Sequence, residues 1–186
     1  MGHSVGMVHI DDVRMSQLGV LDLHPSGETI SGDEALSSGN PGRAARQTPR
    51  GLLILDATMV LASEDESISA ALDRRVVTVL LSSTADTFSF AVSAPGAARR
   101  HIVDSQGERV VEVGTTLPEE DGTSPLVEAS TLTLLERLTG VAVDDDLLWG
   151  RFDVLTDAPV TGPDVPLTGP DEGGARTGFL ARLFGR

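Results

Sequence analysis

Val76-Val77-Thr78-Val79-Leu80-Leu81, then Phe88-Ser89-Phe90-Ala91-Val92-Ser93, then Arg99–Val103 and Glu108–Val113 across Asp104-Ser105-Gln106-Gly107, are the stretches that decide the fold. The first is a dense β-branched and leucine run, the composition of a strand buried on both faces. In the second, apolar and small polar residues alternate, the period-2 mark of a strand with one buried face. The third pair flanks a four-residue connection ending in glycine, a hairpin signal. Strands that follow one another directly, with only two or three helices between them, predict an α+β fold rather than a parallel βαβ sheet. The expectation is a mostly antiparallel sheet with two or three helices on one face.

Working outward, Ser63-Glu64-Asp65-Glu66 has the spacing of a capping box, and Ile68, Ala71 and Leu72 follow at helical intervals, with Arg74-Arg75 closing the helix. Upstream, Leu52-Leu53-Ile54-Leu55 reads as a buried strand, with Met59-Val60-Leu61 continuing the segment. Residues 26–50, rich in Gly, Ser and Pro, read as a long, partly disordered loop, so that the core begins at Gly51. Before it, Val5–Ile10 is an apolar patch and Asp11-Asp12 introduce a short helix through Gln17; Val20–Leu23 looks strand-like and His24-Pro25-Ser26-Gly27 like a turn. Downstream, Pro125 opens a helix carrying Leu132, Leu135 and Leu138 until Gly140, and Asp144 caps a last turn with Leu147, Leu148 and Trp149. The chain thus divides into one acidic α+β domain over 1–155, a Pro/Gly-rich linker over 156–177 and a terminal peptide over 178–186.

Composition narrows the chemistry. Cys, Tyr and Lys are all missing from the 186 residues, and Asn40 is the only asparagine. Lys, Asn and Tyr share A/T-rich codons, so their scarcity points to a GC-rich bacterial genome. Without Lys there is no Schiff base and no Walker A lysine; without Cys, no thiol nucleophile, disulfide or thiolate metal site. The fourteen arginines face 28 acidic side chains, for a net charge of −14. Three of those arginines lie in residues 176–186, where there is no acid, so the body is more acidic still. Such a surface repels phosphate backbones, which argues against nucleic acid as a partner. No stretch approaches the roughly 20 apolar residues of a membrane span, and a secretory signal pattern is missing, so a cytoplasmic location is expected.

The order from Val76 to about Trp149 also carries a resemblance. An apolar strand is followed by Ser82-Ser83-Thr84-Ala85-Asp86-Thr87-Phe88-Ser89-Phe90-Ala91-Val92, a hairpin, Gly114-Thr115-Thr116-Leu117-Pro118 and a leucine helix. This resembles an uncharacterised actinobacterial protein family, a domain of unknown function, over about residues 76–149. The resemblance implies no catalytic residues.

Gly2-His3-Ser4-Val5-Gly6 matches the G-x-S-x-G nucleophile elbow letter for letter, yet that motif sits between a core strand and a helix, and no strand is expected before it here. Ser4 is therefore not assigned as a nucleophile. The acidic runs Asp11-Asp12, Glu64–Glu66, Glu119–Asp121 and Asp144–Asp146 lack EF-hand spacing and read as solvated or capping residues. His101 stands alone beside Arg99 and Arg100, and Asp86 reads as a turn residue. No catalytic, cofactor-binding or metal-binding residue is assigned, and no cofactor is expected.

The C-terminus speaks more directly. Residues 156–175 hold Pro159, Pro163, Pro166 and Pro170, with Thr161-Gly162-Pro163-Asp164 echoed by Thr168-Gly169-Pro170-Asp171. This is the composition of an extended spacer. As a helix, the peptide beyond it sets Phe179, Leu180, Leu183 and Phe184 along one side and Arg182 and Arg186 toward the other. The expected function is a non-enzymatic accessory protein that docks to a protein partner through these six residues. The alternatives are a small Ser/His/Asp hydrolase whose site is not identifiable, and weak association with a membrane surface. A hydrolase would show a buried His–acid pair beside a pocket.

Overall fold

A computed structural model describes residues 4–37 and 42–157. In chain order the elements are β1 (Ser4–Asp11), β2 (His24–Ser31), α1 (Gly32–Leu36), β3 (Arg43–Thr48), β4 (Gly51–Asp56), α2 (Asp65–Leu72), β5 (Val76–Ser82), β6 (Thr87–Ser93), β7 (Arg100–Ser105), β8 (Glu108–Val113), α3 (Glu128–Thr139), α4 (Asp145–Trp149) and β9 (Arg151–Thr156). Short 3-10 turns span Met15–Leu21, Leu61–Ser63 and Pro118–Glu120. The strands form one sheet in the order β2-β9-β3-β4-β1-β5-β6-β7-β8, and every neighbouring pair is antiparallel. The fold is α+β.

Alternation along the central strands divides the core in two. Val5 and Met7 of β1, Leu53 and Leu55 of β4, Val77 and Val79 of β5 and Phe88 and Phe90 of β6 point to one face. There Ala35 of α1, Leu134, Leu135 and Leu138 of α3 and Leu147 of α4 cover them. Val8, Ile10, Leu52, Ile54 and Val76 point to the other face, which Leu18, Leu21 and Leu61 of the 3-10 turns and Ile68 of α2 cover. Three helices thus share one face as expected, while α2 packs on the opposite side. Each such side chain contributes about 1.5–3 kcal/mol on full burial. The edges are defended: β8 carries Glu108, Arg109 and Glu112, and β2 contains Pro25 and an irregular register.

The run that decided the fold holds up in detail. β5 lies within the sheet between β1 and β6, and the β7–β8 hairpin turns on Gln106 and Gly107, both at positive φ. α3 ends at Gly140 in the left-handed region, and the Asp144 side chain caps α4 by accepting from Leu147 N at 3.1 Å.

The N-terminal third departs from expectation. Residues 26–50 are not a long loop: most of β2, all of α1 and all of β3 fall within them, and only residues 38–41 lie outside the description. The core does not begin at Gly51 either, because β1 occupies the middle of the sheet. His24–Gly27 belong to β2 and Val20-Leu21 to a 3-10 turn; local composition was overridden by pairing with β9. The strand at Leu52 stops at Asp56, and Leu61 belongs to a 3-10 turn. The capping box at Ser63 does not form. Ser63 Oγ donates to Val60 O, the helix starts at Asp65, and it ends before Arg74 at Asp73 in the left-handed region. Asp65 serves instead as a buried acceptor for Ser93 Oγ at 2.5 Å and Arg99 at 2.5 and 2.9 Å. β9, unread in the sequence, takes in Thr156 at what was assigned as the linker's start.

Candidate functional site

Of the residues singled out for partner binding, Phe179, Leu180, Arg182, Leu183, Phe184 and Arg186 all lie outside the described residues, as does the linker from residue 158. Ser4 opens β1, with its Oγ 3.0 Å from Ser82 Oγ on the neighbouring strand. The elbow motif therefore runs into a strand instead of sitting between a strand and a helix. Gly6 has a packing reason: a Cβ there would stand 2.9 Å from Ala62 Cβ, where the 3-10 turn crosses β1. His101 is half-buried on β7; burial, then the charge of Arg99, holds its imidazole below the ordinary value. Asp86 accepts from Gln106 N through its backbone carbonyl, a turn contact. Among the described residues, no group of three or more His, Asp or Glu side chains is placed to hold a metal ion. None of their helices is long and apolar enough to cross a membrane.

The functionally suggestive geometry lies at the two ends of β1. On the face covered by α3 its side chains read Val5, Met7, His9, Asp11, apolar at one end and polar at the other. At the Val5 end, Leu36, Leu81, Leu132 and Leu148 complete an apolar groove of about 200 Å³, with Asp33 and Glu128 also lining it. At the Asp11 end lies a polar cleft of about 410 Å³ between the Asp12–Arg14 segment and the β3–β4 turn, lined by Gln47, Thr48 and Arg50.

Behind the cleft is a relay of polar groups. His9, 0 % exposed, holds Thr48 Oγ1 at 3.1 Å through Nε2, and its Nδ1 stands 3.2 Å from Asp11 Oδ1, off the line of a good hydrogen bond. Arg75 donates to Asp11 Oδ2 and to Leu138 O, both at 3.1 Å, tying the strand end to α3. Burial alone would raise the Asp11 carboxyl; His9 and the Arg75 guanidinium outweigh it and hold the group below its ordinary value. His9 faces Leu53 across the ladder and reaches Thr48 diagonally, past Gly51, which has no side chain to block it. A Cβ at Gly51 would lie 2.0 Å from Ile10 O. Thr48 Oγ1 also donates to Gly51 O at 3.0 Å, and that carbonyl receives Gln47 Nε2 at 2.6 Å.

Sequence reasoning did not find this site. Its signal was the spacing of His9 and Asp11 two residues apart, meaningful only once Val5–Asp11 is known to be a strand. Thr48 carried no signal, because its partner is 39 residues away. The remaining buried acids are structural. Asp56 accepts from Thr58 N at 3.0 Å and Leu61 N at 2.8 Å, and Asp104 binds Arg109 and accepts from Leu126 N at 2.6 Å. Comparison with protein-family models, with curated proteins and with solved structures finds no match for this chain.

Proposed function

We propose that the protein is a non-enzymatic accessory protein that docks to a protein partner through residues 178–186. The observation supporting this reading is that the sheet is packed on both faces by residues 4–157, with β9 paired between β2 and β3 as the last described element. Phe179 follows the end of β9 by 23 residues, and the two clusters are built from residues between Val5 and Leu155. Two phenylalanines seated in a partner supply about 1.5–3 kcal/mol each, much of a short peptide's affinity. Arg182 and Arg186 add a weaker, salt-dependent attraction.

The test is Phe179→Ala with Phe184→Ala in the full chain. The expected result is loss of the partner captured by the wild type, with the melting temperature unchanged. A fall in stability of more than about 1 kcal/mol means instead that the peptide folds back as a strap onto its own body. No change in either measurement removes the reading.

A second reading, the small hydrolase, is favoured by one observation: hydroxyl, imidazole and carboxylate follow in order from Thr48 through His9 to Asp11 beside a cleft. Against it stands the misaligned His9–Asp11 pair. Labelling of the wild type but not Thr48→Val by a fluorophosphonate probe would revive it.

A further inference from the structure

We infer that the polar cleft is a binding site for a small molecule carrying a single oxyanion group, held by Arg14 and Arg50 with Thr48 as hydroxyl donor. Eleven of the arginines are described. Arg43, Arg46, Arg75, Arg99, Arg100 and Arg109 contact carboxylates, and Arg74 and Arg137 donate to backbone carbonyls. The guanidinium groups of Arg14, Arg50 and Arg151 have no acceptor among the described residues. In a chain with twice as many acids as bases, two of these three line one cavity.

The surrounding groups fit the same ligand. The cavity, about 410 Å³, is of the size that holds small molecules rather than a bare ion. Guanidinium groups match the planar or tetrahedral oxygens of carboxylate and phosphate. Gln47 Nε2 is occupied by Val13 O at 2.9 Å and Gly51 O at 2.6 Å, so it braces the wall and is not a free donor. Because Gln47 already serves Gly51 O, the Thr48 hydroxyl can turn from that carbonyl into the cleft without orphaning it. His9 Nε2, 3.1 Å from Thr48 Oγ1, supports the hydroxyl from behind: with that nitrogen as donor, the Thr48 proton is left for the ligand. Asp12, on the same lining, opposes a second negative group and so limits the ligand to one.

The experiment is calorimetric titration of the full chain with inorganic phosphate and, separately, with sodium acetate, the ionic strength held constant with sodium chloride. Saturable binding of phosphate assigns a phosphorylated ligand, and saturable binding of acetate a carboxylated one. Arg14→Ala with Arg50→Ala is expected to weaken that binding at least about tenfold, the loss of one charge-assisted contact or more. Arg151→Ala, the third uncommitted arginine, is expected to leave it unchanged. Both variants change exposed side chains, and unchanged melting without ligand checks that they fold. Equal binding by the wild type and both variants, or no saturable binding of either anion, overturns the inference.

Discussion

The two ends of β1 contrast sharply although they belong to one strand and one face. At the Ser4 end the strand presents Val5 and Met7 to α3, and the layers meet there through apolar side chains. At the Asp11 end it presents His9 and Asp11, and the same two layers are tied by Arg75, which bridges Asp11 and Leu138 O. Apolar packing fills space without regard to direction, whereas the polar end fixes atoms at defined distances and leaves a cleft beside them. The difference teaches that a site sits where the strand stops being a packing element.

Substitutions can break or sharpen that contrast. At the apolar end, Met7→Ala is expected to cost about 2–5 kcal/mol, because a fully buried side chain leaves a cavity between β1 and α3. A cost below about 1 kcal/mol in denaturant unfolding would mean that the groove already relaxes there. At the polar end, Arg75→Ala should cost less, about 1–3 kcal/mol, since it leaves the partly buried Asp11 short of its cation and Leu138 O short of a donor.

The polar end should also be the pH-dependent one. Asp11 has a carboxyl lowered in the folded state, so its contribution is complete above its ordinary value of about 3.9 and is lost as pH falls through the lowered folded value. The stability gap between the wild type and Arg75→Ala is therefore expected to be full near neutrality and to narrow below about pH 4. The gap between the wild type and Met7→Ala should stay constant over the same range. Parallel curves for both variants would show that Arg75 acts by packing alone.

The smallest effect belongs to Ser4→Ala. Among the described residues Ser4 Oγ meets Ser82 Oγ across the ladder, so the change should alter stability by no more than about 0.5 kcal/mol. It should leave any activity untouched. Loss of a serine-probe label in that variant would restore the elbow reading of Gly2–Gly6.

What the sequence determined by itself is the part of the fold written in local periodicity. Val76–Leu81, the alternation at Phe88, Phe90 and Val92, the Gln106-Gly107 turn, and α3 with Gly140 at its end are each legible from a dozen residues or fewer. Asp144 capped its helix as read, because its competitor was water. Tertiary structure decided the rest. Ser63 lost its capping role, and Asp65 became a buried acceptor for Arg99, a residue 34 positions away that no local pattern reveals. Val5–Ile10 looked like a stray apolar patch and became the centre of the sheet, while β2, β3 and β9 drew strands from segments of turn-like or weak composition. Short strands take their stability from the partner across the ladder, not from their own residues. The same pairing places Gly51 between Asp11 and Thr48, brings His9 to a hydroxyl 39 residues away, and makes the cleft.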